Sequence, residues 1–377
     1  MTSLTTDAAL LETGSRLTVD LAAIRANYRL LATRAAPAEC AAVVKANAYG
    51  LGVEHVAPAL WEAGARTFFV AHIGEARVLR GVLPEALIYV LNGLTPGAAD
   101  ILIEIQARPV LGSLSEIEEW AAFEKDRGMP GEAALHIDTG MNRLGLRLGE
   151  AETVGEIFRA GRLGFTPSLV MSHLAVGDEA EHPLTRKQLA DFRNVAALFP
   201  GVPASLANSA ATLTGGDFRF DLCRPGIALY GGNPAPGAPN PLQPVVTLDA
   251  RIAQIRRVPA GEGVGYGAVE TLARASTLAV IALGYADGFL RAAGSSDAKK
   301  GAHAVIAGTR CSLVGRVSMD LIAVDITDLP EGAVSPGDFA TFLGAGISVD
   351  EVAGHAGTIG YEVLTRIGPR SVRVHTG

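Results

Sequence analysis

Short apolar runs rich in β-branched residues recur through the first 230 positions, each bounded by turn residues. They begin near Ala41 (AAVVK), Thr67 (TFFV), Ala86 (ALIYV), Arg108 (RPVLG), Ala133 (AALHID), Pro167 (PSLVMSH), Ala204 (ASLAN) and Leu222 (LCRPGIAL). Between most of them the apolar spacing turns helical, as in VEHVAPALWEAG, EARVLRG, SEIEEWAAFEKDRG and PLTRKQLADFRNVAALF. Strands alternating with helices at this pitch predict parallel βαβ units. Eight strands between about residues 41 and 227 predict a (β/α)8 TIM barrel. A dinucleotide-binding open sheet would show G-x-G-x-x-G after its first strand, and AAVVKANAYGLG does not supply it.

The pattern then breaks. Residues 233–244 read NPAPGAPNPLQP, five prolines in twelve positions, which predicts a stiff connector without helix. Beyond it VVTLDARIAQI, STLAVIAL, AHAVIAG, CSLVGR, DLIAVDI and FATFLG are short strand candidates between Gly-rich turns, with one helix-like patch near Gly360 to Ile367. The expected fold class is α/β plus β: a barrel over residues 1–240 and a mainly β C-terminal domain over 241–377. The first ~15 residues are expected to pack on the second domain.

Composition narrows the function classes. The 377 residues carry 32 Lys and Arg against 39 Asp and Glu, a formal charge of −7. That acidic balance argues against nucleic acid as a partner. Hydrophobic residues reach 49% and charged ones 19%, which predicts a large core and excludes wholesale disorder. Mean hydropathy is +0.27, yet no apolar run approaches the ~20 residues of a membrane helix. The N-terminus lacks a basic segment followed by a long apolar one, so no secretory signal and no membrane partner are expected. Cys40, Cys223 and Cys311 are too scattered for a disulfide framework or a zinc site. The expected compartment is the cytoplasm, and no metal is expected.

TIM-barrel active sites form at the C-terminal ends of the strands. Lys45 closes the first run. Asp138 and Arg143 follow the fifth, His173 the sixth, and Asn208 and Ser209 the seventh, while Arg224 and Gly226 lie on the eighth. Lys, Arg, His, Ser and Gly on one rim suit an anionic, carbonyl-bearing ligand. Ser209 and Gly226 fall near the phosphate position common in such barrels.

Lys45-Ala46-Asn47-Ala48-Tyr49-Gly50 resembles the cofactor-lysine motif of alanine racemases, fold-type III pyridoxal phosphate (PLP) enzymes. The blocks D-T-G-M (138–141), R-L-G (143–145), S-H-L (172–174), A-N-S-A (207–210), R-P-G-I-A-L-Y-G (224–231), G-Y-G (265–267), G-Y-A-D-G (284–288), G-R-V-S-M-D (315–320) and T-I-G-Y-E (358–362) follow in the family's order. The resemblance runs from about residue 16 to the C-terminus and spans both domains.

It implies a homodimer with shared active sites that racemises L- and D-alanine and supplies D-alanine for peptidoglycan. Lys45 would bind PLP through a deprotonated amine and serve as general base on one face of the substrate. Tyr266, from the partner's β domain, would act on the other. A phenol of pKa ~10 costs roughly 4 kcal/mol to ionise at neutral pH. Something cationic must lower that cost, and the resemblance implies His173, hydrogen-bonded to Arg224, in this role. Arg224 would face the pyridine nitrogen as a pure donor. Ser209, the Gly226 and Ile227 N–H groups and Tyr361 would hold the phosphate, with Tyr49 on the same side and Asn208 nearby. Arg143 and Met319 would contact substrate. Tyr285, Arg291, Arg316 and Ile359 resemble residues of the entry corridor.

Three positions depart from the family pattern. His136 stands where many members have a carbamylated lysine that orients the following arginine, so Arg143 needs another partner: an anion, water or His136 itself. Leu51 replaces a common His and Ser318 a common Cys. His55, His72, His303 and His355 match no block and are assigned surface or satisfied-core roles. Rival readings are a racemase for serine or lysine, a fold-type III decarboxylase, and a PLP-carrier protein. Decarboxylases generally place a Glu at the pyridine nitrogen, and carriers lack the second domain.

Overall fold

The computed structural model describes residues 11–128 and 131–377. The first strand among the described residues is β1 (Ser15–Asp20), and Asp20 then caps α1 (Leu21–Ala35), its Oδ1 accepting the Ala23 N–H at 2.9 Å. The barrel follows. Its strands are β2 (Glu39–Cys40), β3 (Ala42–Val43), β4 (Thr67–Val70), β5 (Leu87–Val90), β6 (Ala107–Leu111), β7 (Glu132–His136), β8 (Thr166–Met171), β9 (Ala204–Ser205) and β10 (Leu222–Cys223). The intervening helices are α2 (Val53–Ala63), α3 (Ile73–Val82), α4 (Ala99–Glu104), α5 (Leu114–Arg127), α6 (Leu148–Arg159), α7 (Pro183–Ala196) and α8 (Ser209–Thr214).

Strands β3 to β9 form one parallel sheet in sequence order. β10 pairs with β2, and the Asp221 N–H reaches the Ala204 carbonyl at 3.0 Å, which closes the ring. With β2 and β3 counted as one strand interrupted at Ala41, the barrel has the eight strands that the apolar runs predict. Both faces of these strands are covered, so they read as continuous apolar runs rather than alternating ones. Thr67 to Val70 are buried at every position, and Phe68 and Phe69 are fully enclosed.

The second domain comprises β11 (Val246–Val258), β12 (Ser276–Ile281), β13 (His303–Ile306), β14 (Thr309–Val314), β15 (Ile322–Asp325), β16 (Phe339–Leu343), α9 (Val349–Ala356), α10 (Gly360–Arg366) and β17 (Val372–Thr376). Its sheet runs β12-β15-β14-β13-β16-β11-β1-β17, and β12 also pairs with β11, so six strands close on themselves. The thirteen-residue β11 makes this possible. A register shift between Ile252 and Gln254 bends it from one set of neighbours to the next.

The N-terminal strand belongs to this sheet. Leu17 pairs antiparallel with Leu248 and parallel with Arg373. Residues 1–10, part of the segment expected to pack here, lie outside the described residues. The proline-rich connector forms neither helix nor strand. Asn27 of α1 holds its end, accepting the Gln243 N–H at 2.7 Å and donating to its carbonyl at 2.9 Å. Asp350 of α9 accepts the Asn233 N–H at its start. No helix among the described residues is long and apolar enough to cross a membrane.

Candidate active site

Lys45 leaves the end of β3 into a turn of unusual geometry. Ala46, Asn47, Ala48 and Tyr49 all have φ between +53° and +56°. Four successive left-handed residues without a glycine are costly, about 1–2 kcal/mol each. Surrounding groups hold the turn at both ends. Glu75 of α3 accepts the Ala46 N–H at 2.7 Å, and Asn47 Oδ1 accepts the Val53 N–H at 2.8 Å. From β17, Arg373 Nε donates to the Gly50 carbonyl at 2.9 Å, and His375 Nε2 lies 2.7 Å from the Leu51 carbonyl. Burial, and after it the Arg143 charge, pulls the Lys45 amine below its ordinary range, with Glu75 acting in the opposite direction. Lys45 therefore has a larger neutral fraction than a surface lysine.

The amine faces a cavity of about 400 Å³ lined by Tyr49, His173, Asn208, Ser209, Arg224, Gly226, Ile227, Ile359 and Tyr361, among others. At one side Ser209 Oγ accepts the Gly226 N–H at 2.8 Å. Gly226 has to be glycine here, because a Cβ would lie 2.2 Å from the Tyr49 hydroxyl oxygen. The Tyr49 ring packs at a tilt against Tyr230 and Tyr361, with ring centroids 4.6 and 6.0 Å away. Burial pushes the Tyr361 phenol up to about 12, so it stays a neutral donor.

Arg224 is the most enclosed cation, 5% exposed. It donates through Nη2 to the Ser172 carbonyl at 2.6 Å and through Nη1 to Ser205 Oγ. The hydrogen bond expected from His173 to Arg224 is not formed among the described residues. The guanidinium instead takes the carbonyl of the residue before His173, so the two couple through charge. Burial, followed by the charges of Arg224 and Arg143, lowers His173 to about 3 and His136 to about 4. Both imidazoles are neutral at pH 7. His136 ends β7 at the register of Met171, and no hydrogen bond joins it to the solvent-exposed Arg143 among the described residues.

Tyr266, Met319, Tyr285, Arg291 and Arg316 lie elsewhere. Tyr266 is 72% exposed on a short turn and does not line the Lys45 cavity. The Tyr285 N–H bonds the Ser318 carbonyl and the Ala286 N–H the Met319 carbonyl, both at 3.0 Å, which sets Tyr285 beside Met319. A Cβ on Gly267 would meet Arg316 Nη1 at 3.0 Å, which puts Arg316 against the Tyr266 turn. Arg291 is exposed on its own short helical turn. Sequence reasoning missed Glu75, Ser205, Arg373 and His375. The only local signal among them was the His-Ile-Gly-Glu capping box that opens α3.

Residues 19–234 match the family model described as alanine racemase, N-terminal domain, and residues 245–375 the one described as alanine racemase, C-terminal domain. The chain belongs to the alanine racemase family. An alanine racemase of Methylobacterium sp. (strain 4-46) is 54% identical over 96% of this chain and 98% of its own length. Another, from Methylobacterium nodulans, is 51% identical over 95% of each chain. The crystal structure of the alanine racemase from Bartonella henselae, which has covalently bound pyridoxal phosphate, superposes with a TM-score of 0.90 at 41% identity. That match covers 96% of this chain and 99% of that one. Both alanine racemase domains are thus present, in order, in one chain.

Proposed function

We propose that this chain is a PLP-dependent alanine racemase that works as a homodimer in the cytoplasm and supplies D-alanine for peptidoglycan. The observation that carries the reading is Lys45: an amine of lowered basicity on a strained, externally held turn, facing a cavity with donors at its other walls. The donor set fits PLP. Lys45 suits the aldehyde, Arg224 the pyridine nitrogen, and Ser209, the Gly226 and Ile227 N–H groups and Tyr361 the phosphate, with the glycine leaving space for Tyr49. A donor-only Arg224 also disfavours the decarboxylase reading, which calls for a carboxylate there.

When bound, PLP draws electron density from the substrate Cα and so lowers the cost of removing its proton. Lys45 takes that proton on one face as a neutral amine, or returns it as the ammonium so formed. Tyr266 of the partner subunit does so on the other. Neutral His173 accepts a hydrogen bond from that phenol, and the positive charges of Arg224 and Arg143 offset part of the roughly 4 kcal/mol that ionising a phenol costs at neutral pH. His173 thereby acts as an acceptor, in place of the cationic role expected for it. Arg143 and the partner's Met319 contact substrate, and Tyr285, Arg291, Arg316 and Ile359 line the way in.

The exposure of Tyr266 supports sharing across subunits. Mixing Lys45→Ala and Tyr266→Phe chains tests it. In a hybrid dimer with shared sites, one site carries both lesions and the other carries none, so mixing restores activity to two inactive preparations. With sites inside single chains, every site keeps one lesion and mixing restores nothing.

A further inference from the structure

The second domain carries a cluster of metal-ligand side chains that the racemase reading does not use. His303 opens β13, while Glu351 and His355 lie four residues apart on α9, where helical geometry sets them on one face. One donor atom from each residue lies within 4.8 Å of the others. His303 Nδ1 is 3.8 Å from Glu351 Oε1, and the two imidazole rings meet edge to face with centroids 5.4 Å apart. All three residues are half-buried.

A second observation points to a ligand. His303 Nδ1 is buried and has no hydrogen-bond partner. Of the surface or satisfied-core roles expected for His303, the satisfied-core one does not hold, because the ring is only partly buried and its Nδ1 is unpaired. A buried polar atom left unpaired costs roughly 1–3 kcal/mol, and coordination to a cation would remove that cost.

We propose that His303, Glu351 and His355 form a divalent transition-metal site, with zinc the ion of best fit. Two imidazoles and one carboxylate, with a fourth position left for water, are a zinc donor set. Tetrahedral bonds of about 2.0–2.1 Å put donors roughly 3.4 Å apart. The cluster must contract by up to about 1.4 Å, which half-buried side chains achieve by rotation. Arg310 and Lys300 are the cations facing the cluster. Arg310 pairs with Glu351 and competes directly with the ion, but its side chain is 46% exposed and can turn into water.

Occupancy would tie α9 to the β13–β14 hairpin. α9 already holds the connector through Asp350, and the next helix, α10, contributes Tyr361, Glu362 and Thr365 to the Lys45 cavity. An ion bound only by the folded chain stabilises it by mass action.

The test uses the PLP-loaded enzyme, stripped of metal with a chelator and dialysed against zinc chloride. Saturable uptake of one zinc per chain is expected, with a rise in unfolding temperature. His303→Ala and His355→Ala should each abolish both effects, whereas His55→Ala, at the unrelated His55–His375 stack, should change neither. Arg310→Ala should tighten binding about tenfold, the effect of removing roughly 1.4 kcal/mol of repulsion and competition. Magnesium should not substitute, because imidazole ligands select against it. Absent uptake overturns the site. So does uptake that survives the His303 and His355 changes, or weakened binding in Arg310→Ala. None of these readouts depends on racemase activity, so they succeed or fail separately from the proposed function.

Discussion

The barrel mouth and the surface of the β domain present their chemistry in opposite ways. At the mouth, Arg224 and Ser209 are buried, every wall of the cavity comes from described residues of one chain, and the protein environment has already shifted Lys45, His136 and His173 away from their ordinary basicity. On the β domain, Tyr266, Met319 and Tyr285 stand 72%, 53% and 38% exposed on turns tied down by backbone hydrogen bonds. Large apolar side chains grouped on an outer surface mark an interaction face. The first region can alter a proton affinity by itself, because burial and neighbouring charge are already in place. The second is rigid but solvated, and in the proposed dimer it acts only once a partner's cavity covers it.

The sharpest break of this contrast is Lys45→Ala. Activity should fall to the detection limit, and the absorbance of a covalently held cofactor should vanish while soluble, folded protein remains. Tyr266→Phe should lower racemisation by about 10²–10⁴-fold, the range for loss of one acid–base group. It should keep the cofactor and remove Cα–deuterium exchange for one enantiomer only. Equal loss for both enantiomers would contradict the assignment of Lys45 and Tyr266 to opposite faces.

Arg373→Ala probes the support beneath the lysine turn. Its guanidinium serves the carbonyls of Gly50, Ile367 and Gly368. Losing a charged donor to these partly buried carbonyls should cost about 1.5–3 kcal/mol of stability. PLP affinity, measured by equilibrium dialysis, should weaken with it, and unchanged affinity would separate the strand from the site. The last effect, absent near neutral pH, concerns acid. His136 and His173 titrate lower in the folded chain, at about 4 and about 3, than the ordinary 6.5. The unfolded chain therefore takes up protons first, so their contribution is complete above pH 6.5 and declines as the pH falls toward 4. Each histidine contributes a slope of up to about 1.4 kcal/mol per pH unit. Denaturant melts of His136→Asn across that range should show the shallower dependence.

The β/α alternation was legible because it is local: a buried parallel strand is a short apolar run, and each of the eight runs contains a barrel strand. β1 and β17 were missed for the converse reason. Five or six residues of half-buried alternation, as in β1, become a strand only through partners more than two hundred positions away. The motif blocks likewise placed Lys45, Asn208, Ser209, Arg224 and Gly226 on one rim, since strand ends of one barrel converge. They were silent on Ser205, a small residue whose hydroxyl matters only because Arg224 folds onto it.

By itself, the order of apolar runs and turns determined two linked architectures and the position of a lysine at a strand end. Tertiary structure decided the rest: that His173 is neutral, that Arg224 turns to Ser172 and Ser205, and that Arg373 and His375 hold a turn more than three hundred residues earlier. The division has one physical cause. Periodicity and chain stiffness act over a few residues, so they can be read along the sequence. Desolvation, charge and hydrogen bonding depend on which atoms finally meet in space.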